Sequence, residues 1–155
     1  LNLIKKKNIK IFDAGCGSGL VGIELKKKGF NNLDGADFSQ AMLNLVPKNI
    51  YKNLYKIDLN KKIPIENDFY EGITCVGTFT FGHVSPPCLD EMIRVCKKKS
   101  HICFTINVGI YEEYGFDKKI KELEDKKSWK ILEFYKSNYI ASKNVNAWLV
   151  LAETI

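Results

Sequence analysis

The chain has 155 residues, of which 45% are hydrophobic and 27% are charged, and its formal net charge is +6. At this length we expect one domain over residues 1–155 that buries roughly 70% of the surface of the unfolded chain. No stretch reaches the roughly 18 to 20 apolar residues that a membrane span requires, and no secretory signal precedes the first apolar run, so we expect a cytoplasmic or nuclear protein without a membrane partner.

Apolar runs alternate with helical patterns, which predicts an α/β fold with a parallel sheet and helices on its faces. We expect strands at 9–12, 33–36, 54–57, 72–79 and 101–107, and helices at 20–28, 40–46, 113–126 and from Pro86 or Pro87 to about Cys96. Ser39 is the expected N-cap of the second helix, and Pro47 closes that helix because proline cannot continue its hydrogen-bond ladder. Residues 129–139 and 145–153 have β-type composition and predict a terminal hairpin.

The segment between the first strand and the first helix is the most informative part of the chain. Asp13 is followed by three alternating glycines, Gly15, Gly17 and Gly19. Glycine has no Cβ and tolerates positive φ, so such a loop turns tightly and brings its backbone against a ligand. A second acid, Asp37, ends the next apolar segment about 20 residues later, where it can accept hydrogen bonds from a ribose. Together these features predict a site for a nucleoside-type cofactor.

Two readings of the glycine register imply different cofactors. Starting at Gly17 and ending at Gly22, the loop is the GxGxxG fingerprint of dinucleotide binding. That fingerprint begins directly at the strand end, whereas Gly17 lies five residues beyond Phe12, the last apolar residue of the strand. Starting at Gly15, the loop has no such gap, and Asp13 can hold loop amides or accept from an amino group on the ligand. Because a carboxylate there repels a pyrophosphate, the second reading favours a sulfonium amino acid over a nicotinamide dinucleotide.

Residues 9–107 resemble the class I S-adenosylmethionine-dependent methyltransferases. Residues 12–19 look like motif I of that superfamily, and 34–39 with Met42 look like the end of its second strand. Residues 58–59, 64 and 69–73 resemble its third-strand acid and the lead into its fourth strand. Residues 89–97 resemble the helix before its fifth strand, and 102–107 resemble that strand. Residues 76–84 and the order of the segments after them are most similar to the methyltransferase-like family named for the Williams–Beuren syndrome chromosomal region.

The resemblance implies a single Rossmann-like domain whose mostly parallel sheet has seven strands in the order 3-2-1-4-5-7-6. It implies a methyltransferase that uses S-adenosylmethionine and produces S-adenosylhomocysteine. Members of the superfamily usually carry helices before the first strand, and only residues 1–8 precede it here, so we expect a core that lacks those helices. The alternative function is a catalytically silent cofactor-binding or scaffold module that acts through a partner chain.

The resemblance also implies twelve cofactor contacts: Asp13, Gly15, Cys16, Gly17, Gly19, Asp37, Phe38, Met42, Asp58, Leu59, Val76 and Gly77. The loop after the first strand would surround the methionine moiety and the ribose edge, and Asp37 would hold the ribose hydroxyls. Phe38 would lie against the adenine face, 58–59 would contact the adenine edge, and the backbone of 76–77 would support the methionine end.

Several of these residues also have simpler interpretations. Cys16 between motif glycines is expected to be a small loop residue rather than a nucleophile. Phe38 and Met42 could belong to the core, and Asp58 could be an N-cap or turn residue. Asp34, which precedes the second acid, is interpreted as a solvated acid at a strand edge.

No residue identifies the methyl acceptor or the oligomeric state. His83 is a weak candidate for a general base, since histidine titrates near neutral pH, although a lone histidine in a loop is more often structural. His101, which opens the fifth strand, is interpreted as structural. Residues 85–88 resemble the proline pair of methylases that act on amino groups of bases but lack its final aromatic, so we interpret the prolines as a helix start.

The positive charge does not by itself indicate a nucleic-acid acceptor. All but one of the 24 basic residues are lysines, and arginine, here only Arg94, is the residue suited to bidentate recognition of bases and phosphates. Three lysine runs, 26–28, 97–99 and 126–127, fall where helices are expected to end. We therefore favour a small-molecule or protein acceptor, while a nucleic acid stays open. The five cysteines form no CxxC pair and lie at no zinc-ligand spacing, so we expect reduced thiols and no metal site.

Overall fold

Seven strands and four α-helices follow one another in residues 6–140 and 145–155, the part of the chain that the computed structural model describes. The strands are β1 (Ile11–Ala14), β2 (Leu33–Asp37), β3 (Asn53–Lys56), β4 (Tyr70–Phe79), β5 (Cys96–Asn107), β6 (Trp129–Ile140) and β7 (Val145–Thr154). The helices are α1 (Leu20–Lys27), α2 (Gln40–Leu43), α3 (Cys88–Val95) and α4 (Phe116–Asp125), with a 3₁₀ turn at Val108–Ile110.

The described strands form one sheet in the order β3-β2-β1-β4-β5-β7-β6, which confirms the expected order. Neighbouring strands from β3 to β5 are parallel, and β7 pairs antiparallel with both β5 and β6, so the terminal hairpin is also confirmed. The carboxyl ends of parallel strands meet at one edge of a sheet. The ends of β1, β2, β3 and β4 therefore lie along the same edge.

Both faces of the sheet are covered, as a parallel sheet requires. Adjacent residues of β1 contribute to opposite faces: Ile11 packs with Leu25 of α1, whereas Phe12 belongs to a larger cluster with Met92 of α3 and Phe116 of α4. β1 is consequently buried along its whole length. No described helix combines the length and the apolarity that a membrane crossing needs.

Several element boundaries differ from those expected, and three of the differences have a direct physical reason. β1 extends to Ala14, so Asp13 lies inside the strand, because its side chain finds hydrogen-bond partners in the interior. α2 ends at Leu43 rather than at residue 46, since the chain continues in turns whose amides donate three residues back. β5 begins at Cys96, which pairs with Tyr70 of β4, so the lysine run 97–99 lies in a strand and not at a helix end.

The helix starts expected from Ser39 and the proline pair are confirmed. The Ser39 hydroxyl accepts a hydrogen bond from the Met42 amide at 3.3 Å, and Pro87 is the N-cap of α3.

The interpretation of Asp34 as a solvated acid is wrong. Asp34 is fully buried, because β2 lies between β1 and β3. Its carboxylate accepts hydrogen bonds from the Tyr70 hydroxyl at 3.1 Å and the Asn53 amide at 2.8 Å, and Lys10 Nζ lies 3.3 Å away. Asp34 is thus the anion of a buried ion pair.

Candidate functional site

A cavity of about 740 Å³ lies at the carboxyl edge of the sheet. Its walls come from the loops after β1, β3 and β4 and from the segment that joins β2 to α2. Ten of the twelve predicted cofactor contacts line it: Gly15, Cys16, Gly17, Asp37, Phe38, Met42, Asp58, Leu59, Val76 and Gly77. The candidate base His83 lines it as well. The structure thus brings these residues to one cavity, and their individual contacts with a cofactor stay predictions.

The glycine loop has a backbone that only small residues fit. Gly15 has a φ of 74°, in the left-handed region that favours glycine. A Cβ at Gly15 would also lie 2.0 Å from Oγ1 of Thr78 in β4. The amides of Gly15 and Cys16 both donate to the carbonyl of Ala36 at 2.8 Å, which fixes the loop against β2. Thr78, which the sequence analysis did not identify, therefore sets the position of the first motif glycine.

Asp37 joins two walls of the cavity. One carboxylate oxygen accepts from the amide of Gly17 at 2.9 Å, and the other accepts from the amide of Ser39 at 2.8 Å. A carboxylate oxygen has two lone pairs, so each oxygen can accept one further hydrogen bond. The geometry suits an acid that contacts vicinal hydroxyls while it holds the glycine loop in place.

Asp13 does not line the cavity, so the structure does not bring it to the site with the ten lining residues. Its side chain is 1% exposed, and it accepts hydrogen bonds from the Tyr51 hydroxyl at 2.5 Å and from Oγ1 of Thr74 at 3.0 Å. In the glycine loop, the amide of Gly17 donates to Asp37. Burial raises the pKa of Asp13 to about 6, although the two hydrogen bonds oppose that rise.

Gly19 and Gly22 also lie outside the cavity lining, and both contact Tyr51. A Cβ at Gly19 would lie 3.4 Å from the Tyr51 ring and 3.2 Å from Val46. A Cβ at Gly22 would lie 2.4 Å from the Tyr51 hydroxyl oxygen. Gly19 also has a left-handed φ of 89°, which favours glycine whatever the residue contacts, and its contact with a cofactor stays a prediction. The last glycine of the dinucleotide fingerprint likewise faces a side chain and not the cavity.

An apolar wall faces the glycine loop. Phe38 is 68% exposed and Met42 is 38% exposed, so the interpretation of these residues as core is wrong. Both line the cavity, together with Leu20 at the start of α1. Exposed apolar side chains on one wall suit a flat aromatic ligand such as a nucleobase.

The loops after β3 and β4 are joined by Asn60. Its side-chain amide donates to the carbonyl of His83 at 3.2 Å, and its oxygen accepts from the amide and the hydroxyl of Ser85 at 3.0 and 2.9 Å. Asp58 accepts from the backbone amide of Asn60 at 3.0 Å and lies 3.4 Å from Lys61, so it is a turn residue as well as a lining residue. The sequence analysis missed Asn60 because no motif marks it.

The end of β4 is irregular where it meets the cavity. The register with β5 shifts between Cys75 and Phe79, and Gly77 has a φ of 76°. The amide of Gly77 donates to the hydroxyl of buried Thr105 at 2.9 Å, which holds the bulge in place. Bulges are common next to active sites, where they change the direction of a strand. The predicted contact of 76–77 with the methionine end stays a prediction.

Cys16 is buried, and its chemistry agrees with a small loop residue. Burial, followed by the nearby carboxylates Asp13 and Asp37, raises the pKa of the Cys16 thiol to about 12. The thiolate is the nucleophilic form of cysteine, and it is scarce at neutral pH with such a pKa. All five cysteines are free.

Comparisons with known proteins agree with this architecture. A family model described as a methyltransferase domain matches residues 11–99, which is more than half of the chain. Methyltransferase-like protein 27 from Homo sapiens is 31% identical over 97 residues, which cover 61% of this chain and 39% of that protein. Ribosomal protein L11 methyltransferase from Thermotoga neapolitana is 24% identical over 129 residues, which cover 83% of this chain and 46% of that protein. The chain spans less than half the length of these two relatives.

The fold is shared with solved methyltransferase structures. An S-adenosylmethionine-dependent methyltransferase from Mesorhizobium loti superposes with a TM-score of 0.75 at 13% identity, covering 98% of this chain and 94% of that one. The resemblance to class I methyltransferases is thereby confirmed, and the human relative agrees with the narrower resemblance to a methyltransferase-like family. The chain belongs to the methyltransferase domain family.

Proposed function

We propose that the chain is the catalytic core of an S-adenosylmethionine-dependent methyltransferase whose acceptor is a small molecule or a protein. The observation that best supports this function is Asp37, whose carboxylate joins the glycine loop to the segment after β2 and keeps lone pairs for two hydroxyls. When bound, S-adenosylmethionine supplies an electrophilic methyl group, so the reaction needs placement and desolvation rather than a covalent enzyme intermediate.

The cavity supplies that placement through distinct walls. We assign the ribose hydroxyls to Asp37, the adenine face to Phe38 and Met42, and the adenine edge to 58–59. The loop at 15–17 and the backbone of 76–77 would then surround the methionine moiety. His83 is exposed on the same cavity, where it would accept a proton from an acceptor that must lose one.

The charge of the cavity supports the proposed acceptor class. Its lining includes two carboxylates, Asp37 and Asp58, and neither lysine nor arginine occurs among the described lining residues. Arg94 is held in the structure by Glu91 at 2.7 Å and by the carbonyl of Ile63 at 2.8 Å. The described lining therefore offers no cationic side chain to the phosphates of a nucleic acid, and Asp37 would repel them. One relative is named for a protein substrate, ribosomal protein L11.

Calorimetry with S-adenosylhomocysteine tests the cofactor assignment. We expect Asp37→Ala to weaken binding about 10- to 100-fold, the scale of hydrogen bonds to a charged group. Glu66→Ala removes the same charge from an exposed position outside the cavity lining and should leave the affinity unchanged. The proposal fails if the wild-type chain gives no binding heat, or if Asp37→Ala binds as well as Glu66→Ala. Transfer of a radiolabelled methyl group into cell extract by the full-length protein would exclude the silent-scaffold alternative.

A further inference from the structure

Asp13 is a buried carboxylate that forms no ion pair with any described residue. None of the ion pairs in the described part of the chain includes it. The titratable groups that act on it or feel its charge are acidic or neutral: Tyr51, Cys16, Cys75 and Asp37. Among the described residues, the side chains that donate hydrogen bonds to it are Tyr51 and Thr74. A negative charge in this environment is therefore maintained by two hydrogen bonds.

The ring of Tyr51 packs against three glycines, which leave room for it because they have no side chains. Cβ atoms at Gly19, Gly22 and Gly35 would lie 3.4, 2.4 and 3.2 Å from its ring or hydroxyl. The ring therefore occupies space that α1 and β2 leave free, with its hydroxyl on Asp13. Burial and the neighbouring Asp13 raise the pKa of Tyr51, so the hydroxyl keeps its proton and acts as the donor.

The charge of Asp13 lies close behind the cavity wall. Gly15, two residues further along the chain, lines the cavity, and Asp37, which also lines it, interacts electrostatically with Asp13. Charges in a buried environment act over longer distances than charges in water, because the effective dielectric constant is lower. A cation in the cavity would consequently be stabilised by ionised Asp13 without touching it.

We propose that Tyr51 is a positioning residue that keeps Asp13 ionised behind the glycine loop and so strengthens binding of the cofactor relative to its thioether product, which lacks the sulfonium charge. This inference rests on the proposed function, since it assigns S-adenosylmethionine and S-adenosylhomocysteine to the cavity. The two ligands differ by one methyl group and one positive charge. After methyl transfer, the product lacks the sulfonium charge and is attracted less strongly to Asp13, which favours its release.

The pH dependence of this preference follows from Asp13. With its pKa raised to about 6, Asp13 is ionised at pH 7 and becomes neutral as the pH falls through 6. We therefore expect the dissociation constant of S-adenosylhomocysteine divided by that of S-adenosylmethionine to decrease as the pH is lowered. The midpoint of this decrease should lie near pH 6. Loss of the Tyr51 hydroxyl removes a hydrogen bond that favours the charged form, so the midpoint should move to higher pH by about one unit.

Calorimetric titrations of both ligands between pH 5 and 8 test this proposal with wild type and Tyr51→Phe. Tyr70→Phe is the matched control, because it removes the same kind of hydrogen bond from Asp34. Histidines in general change charge in this pH range, so each titration is repeated with His83→Gln. We expect the midpoint to rise in Tyr51→Phe alone. The ratio should then fall up to about two-fold at pH 7 and several-fold at pH 6.

Other outcomes overturn the proposal. If Tyr51→Phe weakens both ligands equally and leaves the midpoint in place, Tyr51 only supports the fold. The same conclusion follows if Tyr70→Phe moves the midpoint equally. Should Tyr51→Phe fail to fold, Thr74→Val removes the other hydrogen bond to Asp13 and must raise the midpoint. If the wild-type chain binds neither ligand, the proposed function fails and this inference with it, whereas binding with an unmoved midpoint overturns the inference alone.

Discussion

Two aspartates on neighbouring strands, Asp13 in β1 and Asp34 in β2, are almost fully buried, and each accepts a hydrogen bond from a tyrosine hydroxyl. They belong to opposite faces of the sheet. Asp34 has a cation, because Lys10 Nζ lies 3.3 Å from its carboxylate, whereas none of the described ion pairs includes Asp13.

The presence of a cation beside Asp34 and not beside Asp13 indicates that the charge of Asp34 supports the fold, whereas the charge of Asp13 acts on the cavity. A buried ion pair with its hydrogen bonds satisfied costs little while it is intact, and breaking it is expensive. A buried carboxylate without a cation disfavours folding at neutral pH, and such groups cluster at functional sites. Asp13 lies behind the cavity wall, where a cationic ligand would supply the missing charge.

The largest change in the free energy of unfolding is expected when the ion pair between Lys10 and Asp34 is broken. Lys10→Met leaves a fully buried carboxylate unpaired, and we expect the free energy of unfolding to fall by about 4 kcal/mol. Urea unfolding at pH 7 measures this loss. Lys6→Met removes an exposed lysine that lies 4.0 Å from Glu71, and it should cost less than about 1 kcal/mol. A loss below 1 kcal/mol for Lys10→Met would show that Asp34 does not depend on its cation.

A substitution of Asp13, which lies behind the cavity wall, should raise the free energy of unfolding instead of lowering it. Folding raises the pKa of Asp13 from its ordinary value of 3.8 to about 6, so the ionised form is disfavoured in the folded state. The contribution of Asp13 to the free energy of unfolding therefore falls as the pH rises from about 4 to 6, and the fall is complete above 6. The shift corresponds to about 3 kcal/mol, and Asp13→Asn should recover about 2 to 3 kcal/mol of it at pH 7.

Urea unfolding at pH 4, 5, 6 and 7 measures this recovery. The difference between Asp13→Asn and wild type should be small at pH 4 and should grow up to pH 6. Asp34→Asn is the matched variant, and it should be destabilising at pH 7 because Lys10 then loses its anion. A difference between Asp13→Asn and wild type that stays constant with pH would contradict the assignment of this titration to Asp13.

The two aspartates also show what could be predicted from the sequence. The strand order, the glycine loop and Asp37 were predictable, because an apolar run that ends in spaced glycines and acids is a local pattern that the methyltransferase motifs share. The partners of Asp13 were not, since Tyr51 and Thr74 lie 38 and 61 residues away along the chain. Asp34 was misread because its burial depends on β1 and β3 beside it. Periodicity identifies elements, whereas the surroundings of a side chain depend on which elements pack together.

The smallest expected change in the free energy of unfolding concerns two glycines of the cavity lining, Gly15 and Gly82. They have similar left-handed φ values of 74° and 72°. A Cβ at Gly82 meets no atom within 4 Å, whereas a Cβ at Gly15 would lie 2.0 Å from Oγ1 of Thr78. Both alanine variants carry the conformational cost of about 1 kcal/mol, and Gly15→Ala should lose about a further 1 kcal/mol because Thr78 must move.

Urea unfolding of the two variants gives the difference, and adding Thr78→Ala to Gly15→Ala should remove most of it, because the contacts at 2.0 and 2.8 Å disappear while Cβ of residue 78 stays 3.0 Å away. Equal costs for Gly15→Ala and Gly82→Ala would mean that Thr78 adjusts freely. In that case the glycine loop is held by its hydrogen bonds to Ala36 and Asp37 rather than by packing against β4. An added methyl group at Gly15 would then change the free energy of unfolding less than a changed charge at Asp13.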